Sequence, residues 1–300
     1  MKIGKHVVNF LERMLVRGNV KRRKAFKGLY DFESQMDVPF IDDGLHNHKF
    51  DIFYADKSNR KNICVIDIQG GSYIFGEHRD NFVFGYELLK AGFDFVAVDY
   101  VPNNGKMDTK DSIDECYQCI KFVFENLNKF KLDMDRFVLA GDSAGGHFAL
   151  TLCEASDDEE YAKLLGYDFT GINFEVLLTN SPVFDFENLG NGVLSKSGMK
   201  RLFGPNYKNS EMRKLISPLE HFSSLKTPIF SSTCKKDFLR NEPMRLKEFL
   251  KDYPYPHKFV DIKSENKKVE HVHNVIRPQL PESKVVNNAM IDFVNEIMLK

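Results

Sequence analysis

Residues 137–147 read Phe-Val-Leu-Ala-Gly-Asp-Ser-Ala-Gly-Gly-His, and no other stretch restricts so strongly what the chain can fold into. An apolar run of strand character enters G-x-S-x-G, and a helical pattern leaves it as far as about Cys153. Glycines two residues before and after Ser143 permit a sharp turn that projects the serine hydroxyl. The helix that follows points its positive end at the same place and favours negative charge developing there. The pattern is short, and its strand, turn and helix context makes it specific for a serine nucleophile.

The rest of the chain repeats the alternation. Strand-like runs fall at Phe50 to Tyr54, Ile63 to Ile68, Phe93 to Val98, Phe174 to Leu178, Ile229 to Ser232 and Lys258 to Ile262. Helical periodicity occupies 79–91, Asp111 to Leu127 with Asp111 as cap, an acidic start at 157–160, and about Val285 to Met298. Such alternation predicts a mostly parallel central sheet with helices on both faces, an α/β fold. Residues 5–17, with Val7, Val8, Phe10, Leu11, Met14 and Leu15 at helical spacing, and a second helix from about Lys21 to Phe32 look like a brace laid on that core. Residues 184–224 interrupt the alternation with Pro205, Pro218 and scattered glycines, as an insertion at the catalytic end of a sheet does. The expectation is one domain over residues 1–300, with helical cap elements at about 1–45 and 184–224.

Composition narrows the class of partner. Hydrophobic residues make up 42% and charged residues 28%, which excludes a disordered chain. With 42 basic and 43 acidic side chains the net charge is -1, so no overall field draws nucleic acid, and the expected partner is a small molecule. The segment Lys2 to Arg23 is locally basic and reads as a solvated helix face. No apolar run approaches the roughly 20 residues of a membrane span, so stable membrane insertion is not expected. Five cysteines, Cys64, Cys116, Cys119, Cys153 and Cys234, are an odd and sparse set that suits a reducing, cytoplasmic compartment. Cys116 and Cys119 share one face of a helix beside Ile113 and Ile120, a core pattern in preference to a metal or redox pair. Nothing in the sequence argues against a homodimer.

A serine hydroxyl needs a base to take its proton and an acid to hold that base. Upstream, the run Ile63 to Ile68 enters Gln69-Gly70-Gly71-Ser72, whose backbone N–H groups, with that of Ala144, are placed to bind an oxyanion. Downstream, Asp237 lies in a loop just past a strand, where the acid is expected. For the base, His271 and His273 both follow the last strand run, and only one of them can take the Ser143 proton. No third ligand accompanies them, so no metal is expected, and no cofactor. His147, one turn into the helix after Ser143, is expected to pack near the elbow, while nothing around His78 or His221 marks a role.

From about residue 49 to the C-terminus the chain resembles the hormone-sensitive-lipase-like esterases of the α/β-hydrolase superfamily. Gly-Asp-Ser-Ala-Gly-Gly-His at 141–147 matches that family's nucleophile block, and Gln69-Gly70-Gly71-Ser72 stands where the family has His-Gly-Gly-Gly. The resemblance implies Ser143 as nucleophile, Asp237 as acid and His271 as base, because the family's His-Gly-Phe begins with its catalytic histidine and puts His273 in the aromatic position. It also implies an oxyanion hole at Gly70, Gly71, Ser72 and Ala144, and a short or medium acyl ester as substrate. Tyr73, Phe75, Phe184 and Phe203 are the expected lining of an apolar pocket. Gln69, Ser72, Val272 and His273 depart from the family pattern. A peptidase or amidase using the same residues, or a silent binding protein that keeps the fold, are the alternative readings.

Overall fold

The computed structural model describes residues 2–299 apart from 27, 104 and 133–135. Its strands are β1 (Ser34–Pro39), β2 (Lys49–Phe53), β3 (Ile63–Ile68), β4 (Phe93–Val98), β5 (Phe137–Asp142), β6 (Val176–Asn180), β7 (Ile229–Cys234) and β8 (His257–Ile262). They form a single sheet in the order β1-β2-β4-β3-β5-β6-β7-β8. Neighbours from β4 to β8 are parallel, and β2 is antiparallel to both β1 and β4.

Every residue of β3 to β7 is buried, as strands covered on both faces must be, and this is why they are legible as apolar runs. One face carries the helices Thr109–Glu125 and Ala144–Asp157, which bring Ile113, Cys116, Phe148 and Leu152 to the core. The other carries the helices Phe82–Lys90 and Pro281–Met298, with Leu88, Val286, Met290 and Val294. Phe148 and Leu152 are fully buried, and each such side chain stabilises the packing of the helix after Ser143 by about 2 kcal/mol.

Several local expectations change. The cap of Thr109–Glu125 is Asp108 and not Asp111, which sits three residues into the helix and returns a hydrogen bond to the Asp108 N–H. The N-terminal region forms one continuous helix, Lys5–Ala25, in place of two, followed by a single turn at Gly28–Asp31. Residue 27 of the expected second helix, and the side chains of Leu11 and Leu15, lie outside what is described. The expected cap over 1–45 is shorter, because β1 pairs onto the sheet edge. Its sequence Ser-Gln-Met-Asp-Val-Pro alternates only over Met36 and Val38, and a bulge between Gln35 and Val38, with Asp37 at φ 54°, sends those two side chains to opposite cores, so the short pattern does not describe a regular strand. The N-terminal helix and the 184–224 insertion meet above the sheet. Ile3 pairs with Leu194, and the Arg201 guanidinium donates to Asn9, Glu12 and the Asn103 carbonyl.

Candidate active site

The C-terminal ends of β5, β6 and β7 deliver the polar groups. Ser143 stands at φ 53°, ψ -116°, a region costly for any side chain, between the end of β5 and the helix Ala144–Asp157. Its N–H donates to the Asn180 carbonyl at 2.9 Å, which ties the turn to β6. Gly145 is a packing requirement: a Cβ there would lie 2.0 Å from the carbonyl oxygen of Ile68. The helix therefore approaches β3 closely enough to set the serine at the C-terminal end of the sheet.

His271 and Asp237 complete a hydrogen-bonded chain. His271 Nε2 lies 2.9 Å from Ser143 Oγ, and Nδ1 lies 2.7 Å from Asp237 Oδ1. With Asp237 accepting from Nδ1–H, Nε2 is left to accept the serine proton. Burial alone would raise the Asp237 pKa, but the hydrogen bond from His271 and that residue's charge, helped by Ser181 and the Leu239 N–H, hold it below the usual carboxylate value. Thr233 Oγ1 donates to its other oxygen at 3.0 Å. The aspartate is thus fixed and ionised.

His273 goes elsewhere. Its ring is buried, with Nδ1 2.9 Å from Ser283 Oγ, and the Ser283 hydroxyl donates to the His273 carbonyl. Burial pushes its pKa down to about 4, so it is neutral. Val272 between the two histidines takes φ 48°, and this reversal sends the rings to different surroundings.

The loop after β3 faces the elbow. Gly71 (φ 156°), Ser72 (φ 50°) and Tyr73 (φ 66°) are consecutive positive-φ residues. At Gly71 a Cβ would lie 1.7 Å from the Phe75 carbonyl oxygen. The N–H groups of Gly71, Ser72 and Ala144 make no hydrogen bond among the described residues, whereas that of Gly70 donates to Asp142 Oδ1 at 2.9 Å. Gly70 therefore shapes the loop and does not offer a donor. The Gln69 side chain is buried, with neither amide atom partnered among the described residues.

Below the loop, Asn81 Nδ2 donates to Asp67 Oδ2 at 2.8 Å and to Asp142 Oδ1 at 2.7 Å. Burial, then the charge of Asp142, drives the Asp67 pKa well up. His147 is buried among Tyr73, Phe148 and Phe186, its Nε2–H donating to the Ile216 carbonyl and Nδ1 accepting from the Tyr73 hydroxyl. Burial lowers its pKa to about 4, and it links cap, loop and helix as a neutral ring.

Of the expected pocket residues, Phe75 is half-buried, while Tyr73, Phe184 and Phe203 are packed inside. Phe184 meets Phe222 and Phe249, and Tyr73 and Phe203 meet Phe186. The aromatic that does border the chain of three is Phe238, which is 74% exposed with its ring centroid 4.3 Å from that of His271. Sequence reading missed it, together with Asn81, Asn180 and Thr233, since none belongs to a periodic or spaced pattern. A cavity of about 410 Å³ bounded by Lys2, Asn188, Lys196, Tyr207 and Arg213 contains none of these groups and is separate from the site. Among the described residues no cluster of three or more His, Cys, Asp or Glu side chains could hold a metal ion. None of the described helices is long and apolar enough to cross a membrane.

A parallel sheet with its serine at the turn after β5, and histidine and aspartate supplied after β8 and β7, defines an α/β-hydrolase. The chain belongs to the BD-FAE family, whose model matches residues 50–241. It is 27% identical over 121 residues to a probable isoprenylcysteine alpha-carbonyl methylesterase of Arabidopsis thaliana, a match covering 40% of this chain and 28% of the plant protein. Its fold is that of esterase B from Lactobacillus rhamnosis, with TM-score 0.84 and 18% identity over 97% of this chain and 95% of that one. A truncated carbohydrate esterase from gut microbiota aligns with TM-score 0.71 and 17% identity over 89% and 97%.

Proposed function

We propose that the protein is a serine carboxylic-ester hydrolase with Ser143 as nucleophile, His271 as base and Asp237 as the acid that orients it. The observation that carries this reading is the Ser143–His271–Asp237 chain, with contacts of 2.9 and 2.7 Å, at a strained strand-to-helix turn. Ser143 Oγ attacks the ester carbonyl carbon while His271 Nε2 takes the hydroxyl proton. The oxyanion so formed accepts hydrogen bonds from the N–H groups of Gly71, Ser72 and Ala144. As the C–O bond breaks, His271 returns the proton to the departing alcohol. Water, deprotonated by His271, then attacks the acyl-enzyme, and Ser143 regains its proton.

The substrate class follows from chemistry the relatives' names have in common, carboxylic esters, and short or medium acyl chains are the proposed range. Phe238 beside His271 offers an apolar surface to one side of the ester. Five cysteines, all free and buried, fit the proposed cytoplasmic setting. The test is hydrolysis of p-nitrophenyl esters of increasing acyl length, with a matched p-nitroanilide to detect amidase activity. The intact protein is expected to cleave the esters, Ser143→Ala to lose about 10⁴-fold or more, and a serine-directed phosphonate to label Ser143. No turnover together with no labelling would falsify the assignment and leave a binding protein.

A further inference from the structure

The helix Lys5–Ala25 is half engaged. Its inner side carries buried Val8, with Asn9 and Glu12 bonded to Arg201 and Asn19 bonded to Asp80. On the outer side Val7, Phe10 and Met14 are 47%, 55% and 53% exposed. With about 3.6 residues per turn these three fall within about 60° of one another, forming one apolar stripe. His6, Arg13 and Arg17, all exposed, line its flank, and Lys21 continues it at the C-terminal end. Glu12 is the single acidic residue of the helix, and it is turned inward against Arg201. Three large apolar side chains in a row, beside cations that form no ion pair among the described residues, do not match the singly scattered apolar residues of an ordinary solvated surface.

We propose that this face docks the protein on membranes that carry anionic lipid. Phe10, Met14 and Val7 would enter the headgroup boundary while Arg13, Arg17 and Lys21 meet the lipid phosphates, the division of labour of an interfacial helix. A second copy of the chain fits the face poorly. A two-fold contact would bring the same cationic flank against itself with no acid to answer it. The net charge of -1 does not oppose docking, because screening confines attraction to charges within about 10 Å of the surface.

The test is co-sedimentation of the intact protein with vesicles of phosphatidylcholine alone, or of equal parts phosphatidylcholine and phosphatidylglycerol, at low and high salt. Binding is expected to the anionic vesicles only, and to weaken with salt. Arg13→Glu with Arg17→Glu is expected to lower the partition coefficient by about tenfold or more, and Phe10→Ser with Met14→Ser several-fold. Circular dichroism melting and turnover of a soluble short-chain ester are expected to be unchanged in both variants. Because sedimentation reads binding alone, its failure leaves the ester reading intact, and loss of turnover leaves the docking result intact. Equal binding to both vesicle types, or binding retained by both variants, overturns the proposal. So does a dimer in analytical ultracentrifugation that either variant dissolves, which would assign the stripe to self-association.

Discussion

The turn at Ser143 and the loop that faces it reach similarly unusual backbone geometry by different means. At the elbow only Ser143 has positive φ, and Gly141, Gly145 and Gly146 clear the space around it, so one strained residue rides on close packing. Across from it, Ser72 and Tyr73 hold positive φ with side chains in place, and Val272 does the same beside His271. Non-glycine residues in that region each cost on the order of 1–3 kcal/mol, so neighbours must hold them. Tyr73 is held by its contact to His147, by the Asn103 N–H on its carbonyl at 2.6 Å, and by Phe148, Phe186 and Phe203. The elbow is thus fixed by the absence of side chains, whereas the loop, which also needs Gly70 and Gly71 bare, is held in addition by side chains packed around Tyr73. A local motif encodes the first, whereas the second depends on residues over 100 positions away, such as Phe186 and Phe203.

The largest test of this contrast is at the two histidines. His271→Ala is expected to lower kcat/KM by about 10⁴-fold, whereas His273→Ala keeps most activity and loses about 1–3 kcal/mol of stability by freeing buried Ser283. Reversal of the two activities would move the base to His273. Next in size is Gly145→Ala. Its Cβ would meet the Ile68 carbonyl at 2.0 Å, so chemical denaturation is expected to register a loss of several kcal/mol with activity falling in parallel. Near-normal stability would mean that the helix shifts freely and that packing does not fix the elbow.

A pH series separates the regions without mutation. His78, just beyond the loop, lies fully buried between Asp51 and Asp99 at 3.0 and 2.9 Å, with Arg79 also on Asp51. Burial disfavours its charge, but hydrogen bonds to the two aspartates and their charges outweigh that and push its pKa up to about 9 from 6.5. Its stabilisation, roughly 3 kcal/mol, is complete below pH 6.5 and lost as pH rises through about 9. Asp51, where the pull of His78 and Arg79 beats burial, is lowered to about 2 from 3.8, so its share is present above 3.8 and lost as pH falls through about 2. Denaturation midpoints are expected to decline on both flanks. A flat profile between pH 6.5 and 9 would mean that His78 is neutral in the folded protein.

The smallest effect belongs to Ser72→Gly. Relief of positive φ, about 1–2 kcal/mol, is offset by about 0.5–1 kcal/mol of added chain entropy. A rise in stability below about 1 kcal/mol, with activity retained, is expected from denaturant titration. A loss would show that the Ser72 side chain, and not its backbone, supports the loop.

What the sequence determined by itself was whatever is encoded over a few adjacent residues. Strands β3 to β7 are readable because burial on both faces demands continuous apolar runs, and the turn at Ser143 is readable because only glycines permit it. β1 was not, since a polar, bulged edge strand is defined by its partner and not by its own pattern. The tertiary structure alone decided which histidine meets Ser143, because a positive φ at Val272 turns the chain between them, and no residue type announces that. It also decided that Tyr73, Phe184 and Phe203 pack inward while Phe238 borders the site. Apolar side chains look alike in sequence, and only the assembled core determines which of them remain exposed.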